Sequence, residues 1–250
     1  MGVLEALAIF AAGIVAGTIN TVVGSGTLFT FPVLLGFGYA PVTANVSNTI
    51  GLVPGSVSGA VGYRMELSGQ ERRLGQLAIF SLAGGIVGAI LLLTLPASAF
   101  KAIVPVFILV ALVLIILQPR INRLLARRGT GRGDRPGPIA LLGVFAGGIY
   151  GGYFGAAQGI MVLAILSLSL EERLQRLNAL KVVLTGAVNL VSGIVFVIAA
   201  HVAWAPAGLI AGGSVLGGVL GARIGRRLPP AVLRGVVVVV GVVAIVRLLA

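Results

Sequence analysis

The chain has 250 residues, 58% of them hydrophobic and 10% charged, with a formal net charge of +12 and a mean hydropathy of +1.13. A soluble domain carries about a quarter of its residues as charges, whereas several apolar runs here reach the roughly 20 residues that cross a bilayer. The composition therefore points to a polytopic membrane protein; the absence of cysteine and the single histidine argue against thiol catalysis, disulfides and metal or cofactor sites.

The start, Met1 to Glu5, lacks a basic n-region, so no cleavable signal peptide is expected. Apolar segments are predicted at 3–23, 27–37, 43–63, 74–95 and 100–117. The second is too short to cross unaided and contains Pro32. A linker at 118–138 follows, rich in Gly, Arg and Pro, which reads as a solvated loop. The series then repeats at 139–157, 160–170, 179–200, 206–223 and 232–249. The expected organisation is a first transmembrane repeat over 1–117, the basic linker over 118–138 and a second repeat over 139–250.

The halves carry a common sequence signature. Phe10, Ala11, Gly13, Ile14 and Gly17 recur as Phe145, Ala146, Gly148, Ile149 and Gly152, and in the same frame Gly24 matches Gly159 and Ala44 matches Ala179. Further on, Gly84-Gly85 matches Gly217-Gly218. Tandem repeats broken by glycine are a mark of transporters. Arginines follow segment three of the first half (Arg64, Arg72, Arg73) and segment five, but segments two (Arg173, Arg176) and four (Arg223, Arg226, Arg227, Arg234) of the second half. With basic loops inside, the repeats are inverted, both termini lie outside and the linker is cytoplasmic in the cell inner membrane. Arginines in short loops suit an anionic leaflet rather than nucleic acid.

The junctions after the first segment of each half are the leading site: Asn20 to Thr27, with Gly24, Ser25 and Gly26, and Gly155 to Gly159, with Gln158. Glycines there let a helix break, and a half-helix N-terminus attracts anions through free N–H groups and its dipole. Asn20, Ser25, Thr27 and Gln158 add donors. Two such junctions would face each other across one site. The competing reading is close helix packing through small residues, which is preferred for Gly13 and Gly17. Lys181, Thr185, Asn189 and Ser192 form one polar helix stripe, and Asn45, Thr49 and Ser56 another, with Asn48 nearby. Lys181, in the opening turns of its predicted helix, either meets a bound anion, snorkels to the surface, or pairs with Glu171 or Glu172.

Glu5 is the only acid near a predicted span, so a buried carboxylate proton relay is not expected. Nor is there an ATP-binding motif. A serine protease built on Ser25 and His201 is disfavoured because position 23 is valine, which breaks the G-x-S-G order. No catalytic residue is assigned.

Three stretches carry a family resemblance: Gly17 through Thr27 followed by Pro32, Ala44 to Thr49, and Leu177-Asn-Ala-Leu-Lys181 leading into Asn189. They resemble the sulfite exporter family of the TauE/SafE type, also called the toluene-sulfonate uptake permease family. The resemblance spans essentially the whole chain and implies an inner-membrane permease that moves small sulfur-containing anions outward. Similar proteins show a denser glycine cluster at the junctions than Gly-Ser-Gly-Thr at 24–27 and Ala-Ala-Gln-Gly at 156–159. The expectation is thus an all-α membrane protein of two inverted repeats with broken or re-entrant helices, binding a small inorganic or organic anion and needing no cofactor. An anion channel and a membrane assembly or insertion factor are the alternatives, and a homodimer is left open.

Overall fold

The computed structural model describes residues 1–96, scattered positions between 98 and 120, and residues 136–224. The predicted segment at 232–249 lies outside the described residues, as do most of the linker and much of 100–117. Among the described residues all regular structure is helical: α1 (Val3–Val22), α2 (Thr27–Gly36), α3 (Pro41–Gly62), a single turn α4 (Arg64–Leu67), α5 (Glu71–Thr94), α6 (Pro138–Tyr153), α7 (Gln158–Ser169), α8 (Leu174–Ala199) and α9 (Trp204–Ile224). Helices α1, α5, α8 and α9 are long and apolar enough to cross a membrane. With 10 and 12 residues, α2 and α7 are about 15 and 18 Å long, roughly half a hydrocarbon core.

Contact registers fix the helix directions. Gly13 lies against Ile210, and Gly17 against Ser214, so α1 and α9 run parallel. Gly51 against Ile210 and Gly62 against Ala222 set α3 parallel to α9. In the same way Gly84 meets Phe145 and Gly88 meets Ile149, which makes α5 parallel to α6, while Ser81 and Gly85 bond with Leu184 and Ser192, which makes α5 parallel to α8. Gly186 against Ser56 and Gly193 against Ile50 set α3 and α8 antiparallel. Hence α1, α3 and α9 run one way and α5, α6 and α8 the other.

The short helices turn back. Tyr39, just after α2, donates its hydroxyl to Glu5 Oε1 at 2.9 Å, which returns α2 to the end where α1 begins. Gly151 meets Gln158, and Gly143 meets Ile165, so α7 retraces α6. The predicted segments at 27–37 and 160–170 are therefore the return limbs of two hairpins that enter from opposite ends of the bundle.

Each long limb ends on a left-handed glycine. Gly24 (φ +88°) donates to Ile19 O at 3.0 Å, and Gly155 (φ +77°) donates to Tyr150 O at 3.1 Å. These are bonds that close a helix C-terminus, and they require a residue without a Cβ penalty at positive φ. The glycine equivalent to Gly24 in this role is Gly155, not Gly159, its match in sequence. Likewise Gly84 stands against α6 as Gly213 stands against α1, one turn from the Gly84–Gly217 sequence match.

The principal pairings cross between the sequence halves: α1 packs on α9, and α6 on α5. Small residues allow backbone-to-backbone approach there, which is what holds helices together where lipid removes the hydrophobic drive. An edge-on cluster of Phe31, Phe100 and Phe154 fills the space behind the end of α6, with Phe31 and Phe154 ring centroids 5.2 Å apart.

A Cβ on Gly152 would lie 3.0 Å from Ala89 N, so Gly152→Val should destabilise the detergent-solubilised protein by about 1–3 kcal/mol through overpacking. Gly75, exposed with nothing near its Cβ position, should accept Ala with no loss or a gain of about 0.5–1 kcal/mol. Melting temperatures of both variants check this.

Candidate functional site

The hairpin tips touch. A Cβ on Gly24 would lie 2.5 Å from Gly159 Cα, and Gly159 N–H donates to Gly24 O at 3.0 Å. The two junctions singled out in the sequence are thus brought together, in direct contact rather than across a gap at these two glycines.

Breaking a helix in an apolar medium leaves carbonyls that must find donors. Lys181, fully buried, supplies them for α1: Nζ donates to the Asn20 and Thr21 carbonyls, each at 3.1 Å. Asn178 Nδ2 adds a bond to Thr21 O at 3.4 Å. The lysine stem passes the tip contact, its Cδ lying 2.8 Å from where a Gly159 Cβ would sit. An ammonium at a helix C-terminus meets the negative end of the dipole. Lys181 therefore neither reaches the surface nor pairs with Glu171 or Glu172; its ammonium bonds the two carbonyls, and the Glu172 oxygens go to arginines. Because α8 begins at Leu174 rather than near 179, Lys181 sits two turns inside the helix. The extra turn carries Gln175 and Arg176, charged and polar residues that hide a helix start from a hydropathy reading. At the other tip Asn45 plays the corresponding part, with Nδ2 donating to Tyr153 O at 3.0 Å at the end of α6.

Around the start of α2, Asn48 Nδ2 donates to Thr27 Oγ1 at 3.2 Å, and Thr30 Oγ1 donates to Asn48 Oδ1. Gly26 packs on the Ala16 carbonyl. Ser25 Oγ, Gln158 Nε2, Asn45 Oδ1 and Asn178 Oδ1 are buried and have no bonding partner. For the two asparagines the free atom is an acceptor, because the amide nitrogen is pinned to a carbonyl that can only accept.

Other predicted polar residues are occupied elsewhere. Thr185 Oγ1 bonds back to Lys181 O at 2.9 Å, Thr49 to Asn45 O at 2.9 Å and Ser56 to Leu52 O at 3.1 Å. Such back-bonding satisfies the hydroxyl within its own helix. Ser192 bonds Gly85 O at 3.2 Å. Asn189 is buried on α8, about 12 Å along the axis from Lys181. His201 follows the far end of α8, about 27 Å along the axis from Lys181, whereas Ser25 lies beside Gly24 at the tips. Sequence reading did not single out Asn178 or Thr30 individually, although Asn178 stands inside the Leu177–Lys181 motif.

At the end of the bundle where α8 starts, a polar cluster joins two loops. Glu172 Oε1 lies 3.1 Å from Arg176 Nε, and Oε2 lies 3.4 Å from the buried Arg73 Nη1. Gln70 Oε1 accepts from Arg73 at 3.1 Å, and Arg176 Nη2 donates to Ser68 O at 3.1 Å. Burial raises the Glu172 carboxyl, but the Arg173 backbone N–H and the Arg176 and Arg73 charges outweigh it and hold the group below its ordinary value.

Opposed hairpins with half-length return limbs, meeting at a buried polar centre within a bundle of apolar spans, define a multi-pass helical membrane transporter. The chain belongs to the Sulfite exporter TauE/SafE family, whose profile matches residues 9–248. It is 26% identical over 249 residues to the Probable membrane transporter protein YfcA of Escherichia coli K12, covering 96% of this chain and 88% of that protein. It is 28% identical to a Probable membrane transporter protein of Haemophilus influenzae over 94% of this chain and 91% of that one. Probable membrane transporter protein ORF9 of a Sinorhizobium species is 29% identical, with 97% and 91% covered. No solved structure matches the chain.

Two outcomes follow from this geometry. Gly24→Ala meets both the positive φ and the Gly159 backbone, and should cost about 1–3 kcal/mol or more, read as a lower melting temperature in detergent. The depressed Glu172 carboxyl contributes stability that is complete above its ordinary 4.5 and is lost as pH falls through the lower folded value. The drop in melting temperature on acidification below pH 4.5 should therefore be shallower in Glu172→Gln than in the unaltered protein.

Proposed function

We propose that the chain is a secondary permease or facilitator that passes a small oxyanion, sulfite or an organosulfonate, through a site flanking the Gly24–Gly159 contact. The observation that carries this is the convergence of two half-helix N-termini and the fully buried Lys181 on one point, where no described carboxylate is bonded to that lysine. Helix N-termini favour anions through their dipoles and free N–H groups. Ser25 and Gln158 hold buried polar atoms without partners, and a ligand would supply them. Asn20, Thr27, Asn45 and Asn48 complete the proposed lining at the tips, with Gly24, Gly26 and Gly159 providing backbone access; Asn189, and Thr185 with its hydroxyl bonded back to Lys181 O, would line the approach along α8.

The opposed directions of α1 and α3 against α6 and α8 support an inverted pair of repeats, 1–117 and 139–250. Each hairpin returns to its own side, so parity rests on the remaining crossings. Three per half, counting the predicted fifth segment, keep the number odd. With the arginine-bearing end inside, the 118–138 linker is cytoplasmic and both termini lie outside, in the cell inner membrane. An inside-negative potential would then drive an anion outward at about 2.3 kcal/mol per charge per 100 mV, without a buried acid relay.

Flux of radiolabelled sulfite into proteoliposomes tests this. Saturable uptake, competed by a two-carbon sulfonate and lowered at least about tenfold by Lys181→Ala, is expected; a loss of that order matches a charge-assisted contact worth about 1.5–3 kcal/mol. Uptake unchanged in Lys181→Ala removes that residue from the site. Non-saturating current identifies a channel, and no flux at all an assembly or insertion factor.

A further inference from the structure

The charged cluster at the arginine-bearing end has the make-up of an anion site whose ligand is already in place. The Glu172 carboxylate is gripped by guanidinium groups from two separate segments, Arg73 at the start of α5 and Arg176 in the first turns of α8, at 3.4 and 3.1 Å. A planar guanidinium pair is what carboxylate, sulfonate or sulfite oxygens fit best. Both arginines are braced in place. Arg73 is 8% exposed and held by Gln70, whose own Nε2 donates to Glu66 O at 2.8 Å and to Arg176 O at 3.4 Å. Arg176 is tied to Ser68 O. Glu172 lies on the four-residue loop between α7 and α8, with its side chain 20% exposed and its Oε1 also accepting from the Arg173 backbone N–H at 3.1 Å.

Along the axis of α8 the cluster lies about 7.5 Å from the level of Lys181, with Arg176 on a different face of the helix from Asn178 and Lys181. Arg72 and Arg173, both exposed, add positive charge to Arg73 and Arg176, while Glu66, Glu71 and Glu171 join Glu172 as the acids at this end, Glu71 lying close enough to feel the Arg176 charge.

We propose that Arg73 and Arg176 form a second oxyanion-binding site at the mouth of the pathway, which Glu172 occupies as a tethered stand-in for the ligand. An arriving sulfite or sulfonate displaces the carboxylate, and the loop joining the return limb α7 to α8 is released as it does so. The tether gives the carboxylate a local concentration on the millimolar scale, so weakly bound anions are excluded until they reach comparable levels.

This rests on the anion-transport reading above, and the experiment separates the two. Sulfite flux in proteoliposomes and sulfite binding to purified protein by calorimetry are measured for the unaltered chain, Glu172→Gln, Glu171→Gln, Arg73→Gln and Arg73→Lys, with melting temperatures to confirm folding. Glu172→Gln removes the competitor, so its half-saturating sulfite concentration should fall on the order of fivefold or more and its binding should tighten equally. Glu171→Gln should change neither; Arg73→Gln should weaken both, and Arg73→Lys should recover part of the loss. Saturable flux with an unaltered half-saturating concentration in Glu172→Gln overturns this site and leaves the transport reading standing. No flux by the unaltered protein overturns the transport reading, and binding then still decides: tighter sulfite binding by Glu172→Gln keeps the site, and equal binding removes it.

Discussion

A helix that stops inside an apolar medium strands its last carbonyls, and everything at the centre of this fold answers that constraint. The chain solves it by reciprocal capping between halves. Lys181 and Asn178 on α8 reach the end of α1 at Asn20 and Thr21, and Asn45 on α3 reaches the end of α6 at Tyr153. Each third helix thus closes the broken limb of the opposite half. The Gly159-to-Gly24 backbone bond joins the tips directly. Remove these donors and the hairpins have buried carbonyls with nothing to meet, so neither hairpin is a stable object without the other half of the chain.

The crossed helix pairs reinforce the same dependence. Helix α1 packs on α9 and α6 on α5 through glycine faces, so each half lends its fourth helix to the first helix of the other. Such contacts are backbone against backbone and act by van der Waals packing rather than by burial from water. They set the positions of the hairpins along the bundle axis, and therefore where the tips meet. A displacement by one turn, about 5.4 Å, would take Lys181 out of reach of Asn20 and Thr21. Packing register and polar capping are in this sense one specification.

Much of this was legible in the sequence, and the omissions have physical causes. Apolar runs marked eight of the helices because membrane spans are read from local composition alone. The junction residues stood out because glycine at a break is rare unless the backbone demands it. What stayed hidden is non-local. Nothing in the sequence of α1 states that its C-terminal carbonyls will be met by a lysine 160 residues away, so Lys181 read equally well as a ligand for an anion, a snorkelling cation or a partner of Glu171 or Glu172. The matched glycines misled in register: Gly24 and Gly159 align by residue type, but the shared backbone role falls to Gly24 and Gly155. Helix α6 is one turn shorter beyond the common packing frame, and an alignment by identity cannot see a missing turn. The turn α4 and the first turn of α8 were lost because their charges interrupt hydropathy without interrupting the helix.

The departure from symmetry is where chemistry enters. One broken limb is capped by a neutral amide, Asn45, and the other by a lysine together with an amide. For capping alone a second asparagine would serve, and it would avoid placing an ammonium out of reach of solvent. On the anion-transport reading proposed above, a cation there would meet a full negative charge, a stronger partner than the dipole end that Lys181 caps. The same preference for guanidinium or ammonium over neutral donors recurs at Arg73 and Arg176, the latter about one and a half turns along α8 towards the surface. Asn45 and Asn48, on α3, are uncharged, so on the transport reading proposed above the two hairpin tips would present different electrostatics to a ligand.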